Sequence, residues 1–218
     1  MKRQGSLPPR EGGRHWLPSQ GVDPAPLTEL NAECLGQLVM RAAEGDPAAP
    51  APPLLVQLQP QWAALPAHAV RRLSAAPFSL FDAGFASAPR WLELRSRGVQ
   101  ELSQRVEPVY FEARVARSIT RRMLVYGWHL ARSRPRAACL VFGSTIATVE
   151  SLAACSLVAL EAAAERNAGE LRPRWTNQPG FWRALLIAAS DGADHRLHEL
   201  LLGGVQRLAA ETLAAHDS

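Results

Sequence analysis

The sequence predicts an all-α fold built from several short amphipathic helices, and three observations carry that prediction. Apolar residues recur at three- and four-residue spacing through most of the chain, which lays one stripe of each segment along a single helical face. Alanine and leucine dominate the 218 residues, whereas isoleucine is scarce and tyrosine occurs only twice, a balance that suits helices better than sheets. Glycine, proline and hydroxyl residues fall between the periodic segments, where helices stop and start.

Taken in order, residues 1–26 hold Pro8, Pro9, Pro18, Pro24 and Pro26 with four glycines and no apolar period, and they read as a disordered tail. A first helix is expected over 28–43, with Thr28 as its N-cap and Leu30, Cys34, Leu38 and the aliphatic stem of Arg41 as its stripe. Gly45-Asp46-Pro47 ends it, and a proline-rich linker follows over 48–53. Residues 54–58 fit either a short strand or the start of a helix. Pro66 opens a helix that reaches Ser74. Residues 77–85 are the best strand candidate, with an extended loop as the alternative. Pro89 opens a helix carrying Trp91, Leu92 and Leu94, and the helical stretch over 99–132 is expected to break near Glu107, ahead of Pro108. The last helices are expected over 179–189 and 194–214.

Residues 123–175 are the most strongly organised. Leu124, Trp128 and Ala131 form one helical stripe, Ala138, Cys139 and Phe142 a second, and Ile146, Val149, Leu152 and Ala153 a third; 157–164 is nearly all apolar. Gly143 stands where a helix can end in a left-handed residue, and Ser144 or Thr145 can cap the next one. The stretch resembles the D subunit of the flagellar master transcriptional regulator, the FlhD family. The resemblance is carried by Leu124 and Leu130, by 138–143, by Leu152 with Ser156 and Leu157, and by Arg174-Trp175, with a weaker match through Arg183 to Arg207-Leu208. It covers roughly the C-terminal half. It implies a non-catalytic helical subunit that pairs with its own kind and activates transcription together with a zinc-bearing C subunit. Leu171 stands where the family carries a cysteine, and the chain is nearly double a D subunit's length.

That extra length suggests a repeat. Residues 73–94 and 163–185, offset by about 90 residues, each run from an amphipathic helix into an extended piece ending in an aromatic, Phe85 or Trp175. Each then reaches a proline followed by an aromatic: Pro89 and Trp91, or Pro179 and Phe181. At the same offset Leu38 falls near Trp128 and Met40 opposite Leu130. A coincidental rhyme of helix, proline and aromatic would read the same way. As a duplication, 27–107 is an N-terminal helical repeat and 108–218 the FlhD-like C-terminal repeat. The two together would form a pseudo-dimer free of the concentration dependence of a true dimer.

Composition narrows the function. Net charge is +4, with Lys2 the only lysine, which permits acidic partners without demanding them. Cys34, Cys139 and Cys155 form no CxxC pair and sit in apolar helical patterns, so buried free thiols are expected. No apolar run of about 18 residues is present, nor an apolar run behind the basic N-terminus, so the expectation is a cytoplasmic protein without a membrane span. The sequence holds no GxSxG, GxGxxG, P-loop or HExxH. His195 and His198 share a helical face with Glu199 and Asp194, but no third ligand lies near them, so solvated histidines are expected. The reading is a non-enzyme with no cofactor and no metal.

The interaction candidates are basic and aromatic. Arg114, Arg117 and Arg121 lie three and four apart, on one helical face, and Glu107 and Glu112 are near enough in sequence to offset part of the charge. Arg172, Arg174 and Arg183 surround Trp175 and Trp182, a composition typical of contact hot spots. For Trp175 and Trp182 a mixture of core and surface is expected, with Trp182 the more exposed. Residues 136–154 fit a helix-turn-helix spacing, yet the second helix, TIATVESLAA, carries Glu150 and no base-reading side chain, which favours helix packing over base readout. The functional expectation is a regulatory subunit or scaffold acting through a partner protein or self-association, with DNA contacted indirectly through that partner. The alternative is a secretion-accessory or protein-interaction adaptor with no DNA contact.

Overall fold

A computed structural model describes residues 23–45, 51–85 and 109–214. Residues 1–22 of the predicted tail over 1–26, residues 48–50 of the linker over 48–53, the helix opening at Pro89 with Trp91, and the break before Pro108 lie outside the described residues. Those residues form ten α-helices and one pair of two-residue strands, so the fold is all-α as predicted.

Helix α1, Ala25–Glu44, starts earlier than its sequence suggested. Asp23 Oδ1 accepts from the Ala25 amide at 2.9 Å, and Pro26 sits in the first turn, where its missing N–H leaves no intrahelical bond unmade. Thr28 is therefore inside the helix rather than its cap, and Ala25 and Pro26 belong to α1 rather than to a tail. Gly45 ends α1 in the left-handed region. Helices α2, Pro53–Gln57, and α3, Gln59–Ala63, resolve the ambiguous segment as helix and bury Leu54, Leu55 and Trp62. Helix α4, Ala67–Ser74, follows Pro66.

The next stretch is extended and almost wholly buried, with Phe78, Ser79, Leu80, Phe81, Ala83 and Phe85 all inside. Only Phe81–Asp82 forms a strand, β1. The second part of the chain runs α5, Ala113–Ser133; α6, Pro135–Phe142; α7, Ile146–Ala153; and α8, Leu157–Asn167. A single 3₁₀ turn then leads to β2, Arg172–Pro173, followed by α9, Pro179–Ser190, and α10, Asp194–Ala214. Strand β2 pairs antiparallel with β1, Phe81 opposite Pro173 and Asp82 opposite Arg172.

The turn between α6 and α7 follows from its residues. Gly143 has φ 57°, which releases its amide to the Cys139 carbonyl. Thr145 Oγ1 then accepts from the Thr148 amide and caps α7, and the two helices bend by 116°. Gly127 of α5 leaves room for the Phe85 ring, which a Cβ there would meet at 2.9 Å, and Phe85 stacks on Phe142 at 4.2 Å between centroids. Trp62 and Trp182 meet at 5.4 Å. On α4, Arg72 donates to the Ala189 carbonyl at the end of α9 (2.5 Å) and to Asp194 Oδ1 at the start of α10 (2.6 Å), where a cation suits the carbonyl end of a helix.

Helix α1 packs on α3 and α4, and α5 packs on α6, α7 and α8. The buried stripe of α1 is Leu27, Leu30, Asn31, Cys34, Leu35, Leu38 and Ala42; that of α5 includes Ala116, Ile119, Thr120, Met123, Leu124, Gly127 and Ala131, at the same spacing. Gly84 and Trp175, each the second residue after its strand, both take positive φ, 87° and 52°.

Gly143→Val should destabilise the protein by about 2–4 kcal/mol, because a β-branched residue is strained at positive φ and its Cβ would lie 2.6 Å from Leu208 Cδ2 of α10. Urea unfolding reads the change; an unaltered midpoint would contradict a packed left-handed turn here.

Candidate functional site

The polar residues at the centre of the molecule hold it together. Arg174 is 6% exposed. Its Nε donates to the Ser79 carbonyl at 2.9 Å and its Nη2 to the Phe142 carbonyl at 2.5 Å, at the negative end of α6. Asp82 lies 3.8 Å from the same nitrogen. Burial pulls the guanidinium pKa down, against the opposing pull of Asp82 and Glu211. The Arg174 amide donates to the Leu80 carbonyl, and its own carbonyl accepts from the Trp182 indole at 2.6 Å. From the other side, the buried Asn31 of α1 accepts from the Leu80 amide at 3.0 Å and donates to the Phe78 carbonyl at 3.1 Å. Thr120, at the matching place in the α5 stripe, has a buried hydroxyl with no partner among the described residues.

This geometry corrects part of the predicted contact surface. Arg174, Trp175 and Trp182 are core residues. Trp182 is 0% exposed and Trp175 8%, so Trp182 is the more buried of the two. The reason is that α9 turns its Trp182 face onto α3 and β1, where the ring meets Trp62 and Phe81. Trp175 packs edge-on against Phe78 and Phe181, with its indole donating to Glu211 Oε1 at 2.8 Å. Arg172 and Arg183 are exposed on β2 and α9.

The remaining predicted residues come together. Arg114, Arg117 and Arg121 line the exposed face of α5 and look onto α8 across a groove also lined by Val158 and Ala162. Two of the three are answered by α8: Arg117 Nε lies 2.8 Å from Glu165 and Arg121 Nη2 2.5 Å from Glu161. Sequence reading missed these partners, although the four-residue spacing of Glu161 and Glu165 matches that of Arg117 and Arg121 on an antiparallel neighbour. Both pairs are more than half exposed, so each contributes under about 1 kcal/mol and can be exchanged for another partner. Next to Arg121, Arg122 pairs with Glu33 of α1.

Other chemistry stays dispersed. All three cysteines are free; Cys34 is buried, and burial pushes its thiol up, which keeps it protonated and unreactive. Cys139 and Cys155 are half-buried rather than fully buried as predicted. His195 and His198 are exposed, and among the described residues no group of three or more His, Cys, Asp or Glu is placed to hold a metal ion. No single helix among them is long and apolar enough to cross a membrane. No family model, curated protein or solved structure matches the chain.

Arg174→Ala should cost about 3–5 kcal/mol, because it leaves the Phe142 and Ser79 carbonyls without the guanidinium in the core and removes the counter-charge of Asp82. Arg174→Lys should recover little, since an ammonium cannot reproduce the fork. Arg183→Ala should change stability by less than about 0.5 kcal/mol. Chemical denaturation ranks the three; equal midpoints for Arg174→Ala and Arg183→Ala would remove Arg174 from the centre of the fold.

Proposed function

We propose that the chain is a non-catalytic regulatory subunit resembling the FlhD family, a helical scaffold that acts through a protein partner. The observation that carries this reading is the packing of α1 on α3 and α4 and of α5 on α6, α7 and α8, joined through β1 and β2. D subunits pair with each other, and a duplicated unit would hold such a pair within one chain. The N-terminal unit is then the first repeat and the C-terminal unit the second, consistent with the shared spacing of the α1 and α5 stripes. The buried Asn31 and Arg174 are consumed in holding segments together, which fits a scaffold better than a catalyst. On this reading the working surface is the exposed face of α5 with its arginines.

One observation favours the adaptor alternative, in which DNA is never touched. The front of α7 presents Ile146, Ala147 and Glu150 to solvent, none of which reads a base edge, and Glu150 repels phosphate. Contact with DNA, where it occurs, therefore belongs to the partner.

Salt titration of duplex DNA binding tests the reading. The purified chain should bind weakly, whereas the complex captured with the tagged full chain from its source cells should lose affinity steeply with salt. A captured complex with no DNA affinity would leave the adaptor alternative. Sequence-selective binding by the chain alone would overturn both.

A further inference from the structure

We propose that the groove between α5 and α8 docks an amphipathic helix of a partner protein, acidic at one end and apolar at the other. The proposal rests on the scaffold reading and names its site and the chemistry of its partner.

The two ion pairs fix how the groove is graded. Arg117 meets Glu165 and Arg121 meets Glu161, so α5 and α8 run antiparallel. Carried one turn further, that register brings the start of α8, Leu157 and Val158, level with Val125. These three are apolar and open: Val125 is 41% exposed, Leu157 58% and Val158 79%. At the opposite end stands Arg114, which makes no ion pair among the described residues and lines the same groove. From Arg114 to Val125 is about 16 Å at the helical rise, the length of roughly three turns of a partner helix.

Charge complementarity selects the occupant. The α5 wall carries Arg114, Arg117 and Arg121, and the last two are held only by exposed pairs. Carboxylates on an incoming helix, spaced three and four apart, can take Arg114 directly and share its neighbours. Apolar residues one or two turns further along then cover Val125, Leu157 and Val158, the side-chain pattern of helix-in-groove recognition. A nucleic acid suits the groove less well. Glu161 and Glu165 stand in it, and Val158, its most exposed apolar side chain, offers a phosphate nothing.

The test is fluorescence anisotropy with a labelled helical peptide of about four turns, glutamates at three- and four-residue spacing in one half and leucines in the other. Wild-type chain should bind it saturably at about 0.15 M salt. Arg114→Glu and Val158→Asp should each weaken binding at least about tenfold, and Arg183→Glu on α9 should leave it unchanged. All three positions are exposed, so circular dichroism should show the variants folded. Equal binding of an all-glutamate peptide would overturn the proposal, because charge alone would then explain it. A DNA duplex bound in a manner lost with Arg114→Glu but indifferent to Val158→Asp would overturn it in favour of nucleic acid. The double variant Arg114→Glu, Val158→Asp separates the two levels of the argument. If it still captures the partners that the wild-type chain captures, the groove proposal fails and the scaffold stands; if the wild-type chain captures none, the scaffold itself fails.

Discussion

A guanidinium sealed at the carbonyl end of α6 is the constraint on which the rest of this structure depends. Removing Arg174 from water is unfavourable by several kcal/mol, and only a full set of acceptors offsets that. The acceptors come from two distant parts of the chain, Ser79 before β1 and Phe142 closing α6, and Asp82 at the end of β1 stands 3.8 Å away as the counter-charge. Each must be in place for the charge to be tolerated, so one side chain sets the relative position of three segments. Asn31 does the corresponding work from α1, holding the Leu80 amide and the Phe78 carbonyl. The extended stretch through Leu80 has no sheet of ordinary width to satisfy its backbone. These two side chains, with the Ser79 amide on the Val141 carbonyl, supply what a sheet would have supplied.

Helices were the legible part of the sequence, because amphipathic period, proline at first turns and the Gly143-Ser144-Thr145 signal are all local. The positions of α9 and α10 follow from Pro179 and Asp194 alone. Residues 77–85 were legible as extended but not as the centre of the molecule, since a strand of two residues carries no alternation to speak of. The roles of Arg174 and Trp182 were misread for a physical reason. Arginine beside tryptophan has the same composition at a contact hot spot and around a buried cation, and only tertiary packing separates the two. Asn31 carried no signal at all: within the α1 stripe it looks like a polar interruption of an apolar face.

The groove sits between these extremes. Arginines at 114, 117 and 121 were visible as one helical face, but their partners were sought in the same segment rather than on α8. The missing information was the antiparallel register of α5 and α8, which matches two four-residue spacings lying far apart in sequence. The same register leaves Leu157 and Val158 uncovered, although a nearly continuous apolar run reads as core. Burial of Leu160, Ala163 and Ala164 accounts for the core side of that run, and the first turn of α8 is left over. The division between an interior, where Arg174 and Asn31 are committed to backbone partners, and an exposed α5–α8 face, where charges are loosely held, is what the proposed scaffold role rests on.

Native-state hydrogen exchange at Leu80 and Arg174 tests the central claim most directly. Their amides donate to the Asn31 side chain and to the Leu80 carbonyl, at the point where α1, α6 and the strand pair converge. If the buried clamp organises the fold, both amides exchange only through global unfolding, with a free energy equal to that from denaturant. Exchange at either site through a local opening, several kcal/mol below the global value, would show that the extended segment can leave its clamp while the helices stay folded, and would contradict the account.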